Sequence, residues 1–549
     1  MKAAAVVVVS ALVVSACGTV GGEPTTTAAP GSAPTVTVSP PPPSVNPPAC
    51  PKPPGAGPRV WVDVTDAWGV VEPLTGMFVH AAAWGDVDDD LRPDLVVGTF
   101  ADRDPERYRV RGAAGPAPDR LLLGGADGFT SVDLPVDPGR TSGALFADLD
   151  ADGDADLVLS RNAGLANQMP GGLVLFENQD AGLRFAAAVP LPGFQARTVG
   201  AFDFDGDGLL DLAVAEDRYG DTGTRLLRNL GDWSFEDVTT RSGIGQVFGL
   251  GLTTVDLSGD GIPDLFVAGD SRLFLGVGDG TFRPVDSSVF AWERFGPEDL
   301  VGGVSAGDVN GDGLPDLVVG HHFNSTVDEG RRVPVRLYLN RGSGRFEDVT
   351  ERAGLVGLPT KAPHVEVADL DNDGTPDILT SASAGDGPAV FWGLGVVDGV
   401  PRFEEPEGLG AAQYWVAAPT VDADGDGVLD VLLAEFDPSV PSRLLAGGGG
   451  GNWLEVSVSG PGRGIGAVVE VRAPDGTLLG STEITATVGY SAGRMPVARF
   501  GLGEVEEVDV SVRFPDGSRG FAESVEANRR IRWRSEGASP GLREFLISC

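Results

Sequence analysis

Four oxygen-bearing side chains, Asp308, Asn310, Asp312 and Asp316, hold positions 1, 3, 5 and 9 of the stretch DVNGDGLPDLVVG, residues 308–320. Carboxylates this close repel one another unless a cation sits among them. The same spacing recurs at Asp86, Asp88, Asp90 and Asp94; at Asp148, Asp150, Asp152 and Asp156; and at Asp203, Asp205, Asp207 and Asp211. It returns at Asp256, Ser258, Asp260 and Asp264; at Asp369, Asp371, Asp373 and Asp377; and at Asp422, Asp424, Asp426 and Asp430. Hard oxygens on a tight loop, with a backbone carbonyl at position 7, suit Ca²⁺. An EF-hand would need a carboxylate at position 12, where Val214, Val319 and Leu433 stand inside a strand-like run. Asx-turns alone explain Asp, Asn and Gly in a turn, but not carboxylates at fixed offsets in seven copies. Up to seven structural Ca²⁺ ions are expected. The first loop, with Leu91 where the sharp turn favours Gly, and the fourth, with Ser258 at position 3, should bind more weakly.

The elements around the loops repeat as well, at a period of about 50–60 residues. An apolar strand such as LVGGVSAGD (300–308) enters each loop and DLVVG leaves it. A third strand (RLYLN, 336–340) and a fourth (RFEDVT, 345–350) follow. Four short strands separated by turn signals make one propeller blade. The seventh unit lacks a fourth strand, and RVWVDVTDAWGVV (59–71) reads as an orphan copy of GRFEDVTERAGLV (344–356). The fold expected is all-β: a seven-bladed β-propeller over 59–447 closed by the N-terminal strand. A small β-rich domain follows over 452–534, and then a tail, 535–549.

Bulk properties agree. The chain has 549 residues, 80 Gly and 42 Pro, which means many turns. A net charge of −39 argues against nucleic acid and anionic lipid as partners. Residues 1–16 read as a secretory signal, and VSAC (14–17) resembles the bacterial lipobox, which would lipidate Cys17. Residues 17–58 are a Pro/Thr/Ser-rich tether able to reach roughly 100 Å. Cys50 and Cys549 are a candidate disulfide clasping the two ends in an oxidising compartment. The expected location is the cell envelope, outside the plasma membrane, with the lipid as the sole membrane contact.

The loops and flanking strands resemble FG-GAP/VCBS repeats, the Ca²⁺-binding blades of integrin α-chain propellers. NWLEVSVSG (452–460), GRGIGAVVEVRAPDG (462–476), GYSAG (489–493), RFGLG (499–503) and VDVSVRFPDG (508–517) resemble the ASPIC/UnbV domain, which follows such repeats in relatives of cartilage acidic protein. Phe514 stands where that domain usually has Trp. The resemblance implies architecture more than activity. Alternating Val508, Val510 and Val512 read as one half-buried strand.

Strand direction puts His80, His321, His322, His364, Arg161, Arg218 and Trp415 near the mouth of the channel on the face opposite the Asp loops. Mixed charge with aromatics there makes a candidate ligand funnel. The function expected is binding or adhesion to an extracellular protein or carbohydrate. The alternative is a polysaccharide-active enzyme using the funnel, but no nucleophile elbow, H-E-x-x-H or distinctive acid/base pair accompanies it.

Overall fold

A computed structural model describes residues 59–163, 171–179, 184–193, 195–216, 223–292, 300–322, 335–358, 361–381, 389–410 and 415–534. Cys17, Cys50, Cys549 and Arg218 lie outside them. Seven four-stranded units follow in chain order, one per Asp loop: 79–133, 141–192, 196–237, 249–284, 300–348, 365–408 and 415–448. We number them sheets one to seven. The innermost strand of sheet seven is split into Trp415–Ala417 and Thr420–Val421. Its outermost strand is Val60–Asp63, paired antiparallel with Arg443–Gly448. The N-terminal segment thus completes the last sheet, as its likeness to 344–356 implied. Arg59 extends the weld to sheet six, donating to Asp371 (3.0 Å) and Glu404 (2.8 Å) over the Trp392 ring.

The apolar core is divided among neighbouring sheets rather than gathered centrally. Phe146 and Leu157 of sheet two pack with Val96 and Leu121 of sheet one. Comparable clusters join sheets two to three, three to four, four to five, five to six and six to seven. Trp84 and Leu95 of sheet one meet Leu432 and Leu444 of sheet seven, which closes the ring. Each sheet buries both faces, so its inner strands read as apolar runs.

Buried asparagines on third strands staple sheets together. Asn178, Asn229 and Asn340 each donate through Nδ2 to the carbonyl of Val87, Leu149 or Leu257, at position 2 of the preceding sheet's Asp loop. The fourth strand of sheet six is broken: in RFEEPE (402–407), Val400–Phe403 pairs with Gly393–Val397, while Glu407–Gly408 pairs with Ala389–Phe391. Pro406 lies in the gap and has no N–H to donate to a ladder.

Residues 452–534 form a three-stranded and a four-stranded sheet around Leu454, Val469, Val510, Ile531 and Trp533. Val508, Val510 and Val512 face this core. This module belongs to one compact unit with the ring. Its hairpin, Thr487–Val488 with Ala492–Gly493, enters the central channel. There Ala492 and Gly493 pair in parallel with Ala82 and Ala83 of sheet one. Gly489 bridges Val304 of sheet five, and Thr487 Oγ1 donates to the Val199 carbonyl of sheet three (2.8 Å). The first strands are poor in side chain where the hairpin passes. A β-carbon at Gly303 would sit 2.5 Å from Gly489, and one at Gly251 2.8 Å from it.

Candidate metal centres

Each Asp loop follows one hydrogen-bonding scheme. The position-1 carboxylate accepts the position-6 amide in all seven loops. The position-5 carboxylate accepts the position-7 amide in all seven. The position-9 carboxylate bridges: one oxygen accepts an amide at position 2, or at position 3 in the fourth loop. Its other oxygen accepts an amide on or just past the third strand. Position 9 therefore ties the loop to its sheet with or without an ion.

Positions 4 and 6 both take left-handed backbone. Position 6 includes Leu91 at φ 72°, and position 4 includes Asp89, Ala151 and Asn372 at φ 58–63°. Position 4 was legible in the sequence too, in Gly206, Gly259, Gly311 and Gly425, but only position 6 was expected to need this backbone.

Carboxylate oxygens converge within 4.8 Å in five loops. Loops two, three, six and seven bring together positions 1, 3 and 9: Asp148, Asp150, Asp156; Asp203, Asp205, Asp211; Asp369, Asp371, Asp377; and Asp422, Asp424, Asp430. Loop one brings together Asp86, Asp88 and Asp90. Ser258 and Asn310 leave loops four and five one carboxylate short. Burial, the largest cause, pushes Asp94, Asp156, Asp211 and Asp316 up to about 8, Asp264 to about 7 and Asp377 to about 9. Asp430 is also raised well above its usual range. The neighbouring carboxylates add to the shift, and a cation bound among them would favour the ionised form. Asp148 and Asp422 carry the sharpest mark of one: each is 1 % exposed, and its Oδ1 is buried with no donor. The donor set fits a hard divalent cation such as Ca²⁺.

Sequence reasoning missed the arginines that cover these loops from the C-terminal module. Arg530 Nη2 donates to Asp422 (2.9 Å), while its Nη1 reaches the Leu91 carbonyl (3.2 Å), joining loops seven and one. Arg532 and Arg463 lie on loop one, and Arg513 is 3.5 Å from Asp256 of loop four. The Gly462 amide donates to Asp148 (2.8 Å), and the Asp256 amide donates to Glu483 (2.8 Å). The basic residues of 452–534 were visible in the sequence, but their target was not.

At the opposite mouth the expected funnel is largely filled. His80 is 5 % exposed, His321 and His364 are fully buried, and Trp415 lies in the core between sheets six and seven. Tyr490, at the hairpin tip, brings its hydroxyl 3.4 Å from His80 Nε2. The Tyr490 amide donates to His364 Nδ1 (3.3 Å). Burial, then Arg197 and Arg140, holds His80 well below the usual imidazole range. His322 is pushed down to about 3, chiefly by burial, then by Lys361 and Arg197. Arg161 pairs with buried Asp119 (3.0 Å). Glu366, unnoticed in the sequence, faces the hairpin: Arg494 donates to it (2.8 Å) and, against the cost of burial, holds it below the usual range. The open funnel thus needs correction. These side chains were expected at strand ends, and the hairpin converts the strand ends into walls.

The matching sequence families follow the same division. Residues 203–267, 256–319 and 325–380 match the FG-GAP-like repeat, and 458–540 match ASPIC and UnbV. The chain carries FG-GAP-like repeats followed by an ASPIC and UnbV domain. It is 29 % identical over 361 residues to human cartilage acidic protein 1, covering 59 % of this chain and 51 % of that protein. The match thus spans about half of that relative. Integrin alpha-4 of Xenopus laevis is 36 % identical over 145 residues, 24 % of this chain and 14 % of the integrin. Among solved structures, the exotype rhamnogalacturonan lyase YesX aligns over 80 % of this chain and 71 % of its own. Its TM-score of 0.39 at 15 % identity is too low to carry an argument. The ASPIC and UnbV domain is the part that covers the FG-GAP-like loops, so the two families meet at the candidate metal centres.

Proposed function

We propose that the protein is an extracellular binding or adhesion module whose ring of FG-GAP-like sheets is held by Ca²⁺ in its Asp loops. The observation that carries this reading is the division between the two faces. The C-terminal module packs on the loop face through Arg530, Arg532, Arg513 and Gly462, leaving the far face to meet a partner. There the 101–119 segment of sheet one is pinned by Tyr108, whose hydroxyl donates to the Phe100 carbonyl (2.7 Å), and it presents Arg107 and Arg109 outward. A loop fixed by a buried aromatic and displaying charge is a common form of recognition surface. The partner is an extracellular protein or a carbohydrate. Similarity to cartilage acidic protein 1 and integrin alpha chains supports the adhesive reading. We further read Cys17 as a lipid anchor, residues 17–58 as the tether and Cys50–Cys549 as a clasp. No helix among the described residues is long and apolar enough to cross a membrane.

Three of the four histidines that a catalytic reading would need, His80, His321 and His364, are packed into the walls, which favours binding over turnover. The test is a binding screen of the mature chain against matrix proteins and polysaccharides, with Ca²⁺ and with chelator. Calcium-dependent binding that weakens in Arg107→Glu/Arg109→Glu, with the melting temperature unchanged, supports the reading. Binding untouched by that variant and by chelator would sink it.

A further inference from the structure

We propose that the first Asp loop takes its cation from the chain itself: the guanidinium of Arg532 stands where other loops take Ca²⁺. This rests on the calcium reading of those other loops. Arg532 forks across the loop. Its Nη2 donates to Asp86 Oδ2 (3.1 Å) and its Nη1 to Asp89 Oδ1 (2.8 Å). Arg463 Nη2 lies 3.7 Å from each of the same carboxylates.

Three further features set this loop apart. Asp89 is at position 4, where the other loops have Ala151, Gly206, Gly259, Gly311, Asn372 and Gly425. The second arm of the fork therefore has a carboxylate that no other loop offers. The Leu91 amide donates to Asp86 Oδ1 (3.3 Å), and Arg532 takes the other oxygen. In loops two and seven that other oxygen, Oδ1 of Asp148 or Asp422, is buried without a donor, and Arg530 lies on the Asp422 oxygen that already accepts the position-6 amide. In loops three to six it accepts a local amide from position 4 or 5. Loop one also converges on positions 1, 3 and 5, whereas loops two, three, six and seven converge on positions 1, 3 and 9. The pair is also sequestered, much as Arg530 and Asp422 are in loop seven: the side chains of Asp86 and Arg532 are 0 % and 10 % exposed. A bidentate guanidinium–carboxylate pair satisfies a planar acceptor that a spherical ion would otherwise hold.

The consequence is an anchor independent of metal. The C-terminal module stays fixed to sheet one when chelator empties the remaining loops.

The experiment is a count of bound Ca²⁺ per chain after equilibrium dialysis of the full chain, with parallel variants whose fold is checked by circular dichroism. Asp148→Asn in loop two is expected to lose one ion, whereas Asp86→Asn and Asp88→Asn in loop one leave the count unchanged. Asp88 is partly exposed, so its variant reads the loop even if Asp86→Asn fails to fold. Loss of one ion in either loop-one variant overturns the proposal while leaving the calcium reading intact. A wild-type chain that binds no Ca²⁺ overturns both.

Discussion

The ring and the C-terminal module bury charge in opposite ways. The ring spreads carboxylates through seven copies of one loop, each wired by local amides of the same sheet. The module is a single copy that brings arginines from distant strands onto those loops. A fault in the ring's scheme is therefore repeated or diluted around the circle, whereas a fault in the module has no second copy to absorb it. The difference shows why an acidic chain of net charge −39 can close its loop face. A cation in the loops would supply positive charge locally, and the module's arginines supply it from outside.

Removing metal should have the largest effect. Calcium is expected to raise the melting temperature of the chain by about 10 °C or more at saturating concentrations, read by calorimetry with and without chelator. The effect should depend on pH. In the metal-free chain the position-9 aspartates, raised to about 7–9, hold protons when folded that the unfolded chain has released. Their contribution is full below the ordinary aspartate range and is lost as pH rises through about 7–9. Calcium binds the ionised form, so the calcium increment grows between pH 5 and pH 8. An increment that shrinks over that range would contradict the carboxylate argument.

Tyr490→Ala probes the module's side. It empties a buried site in the channel, at an expected cost of about 3–5 kcal/mol in denaturant titration. A cost under 1 kcal/mol would mean that the hairpin is dispensable. Asn340→Ala tests one staple of the ring. It leaves the carbonyls of Leu257 and Pro315 without a donor, with an expected loss of about 1–3 kcal/mol. The smallest effect is expected at Arg241, whose exposed pair with Glu236 should change stability by no more than about 0.5 kcal/mol on Arg241→Ala. A larger loss there would show that surface pairs matter as much as the buried staples.

Legibility followed repetition. Asp308 and its counterparts were readable because seven copies share one spacing, and Val60–Asp63 because it copies a fourth strand. Asn340 was visible at the end of a quoted strand, but its bond to the preceding sheet was not. Within one repeat nothing marks which carbonyl lies beside it. Pro406 broke a strand whose flanking residues pattern as one.

Sequence alone determined the local chemistry: which loops carry carboxylates, where the turns fall, and that the ends of the ring meet. These follow from short-range sterics and from spacing within a few residues. Tertiary structure alone decided that Arg532 meets Asp86, that Tyr490 reaches His80, and that the hairpin enters the channel. Such contacts join residues hundreds of positions apart. They depend on how the module's sheets seat on the ring and on the room left by Gly251 and Gly303, which no local pattern encodes.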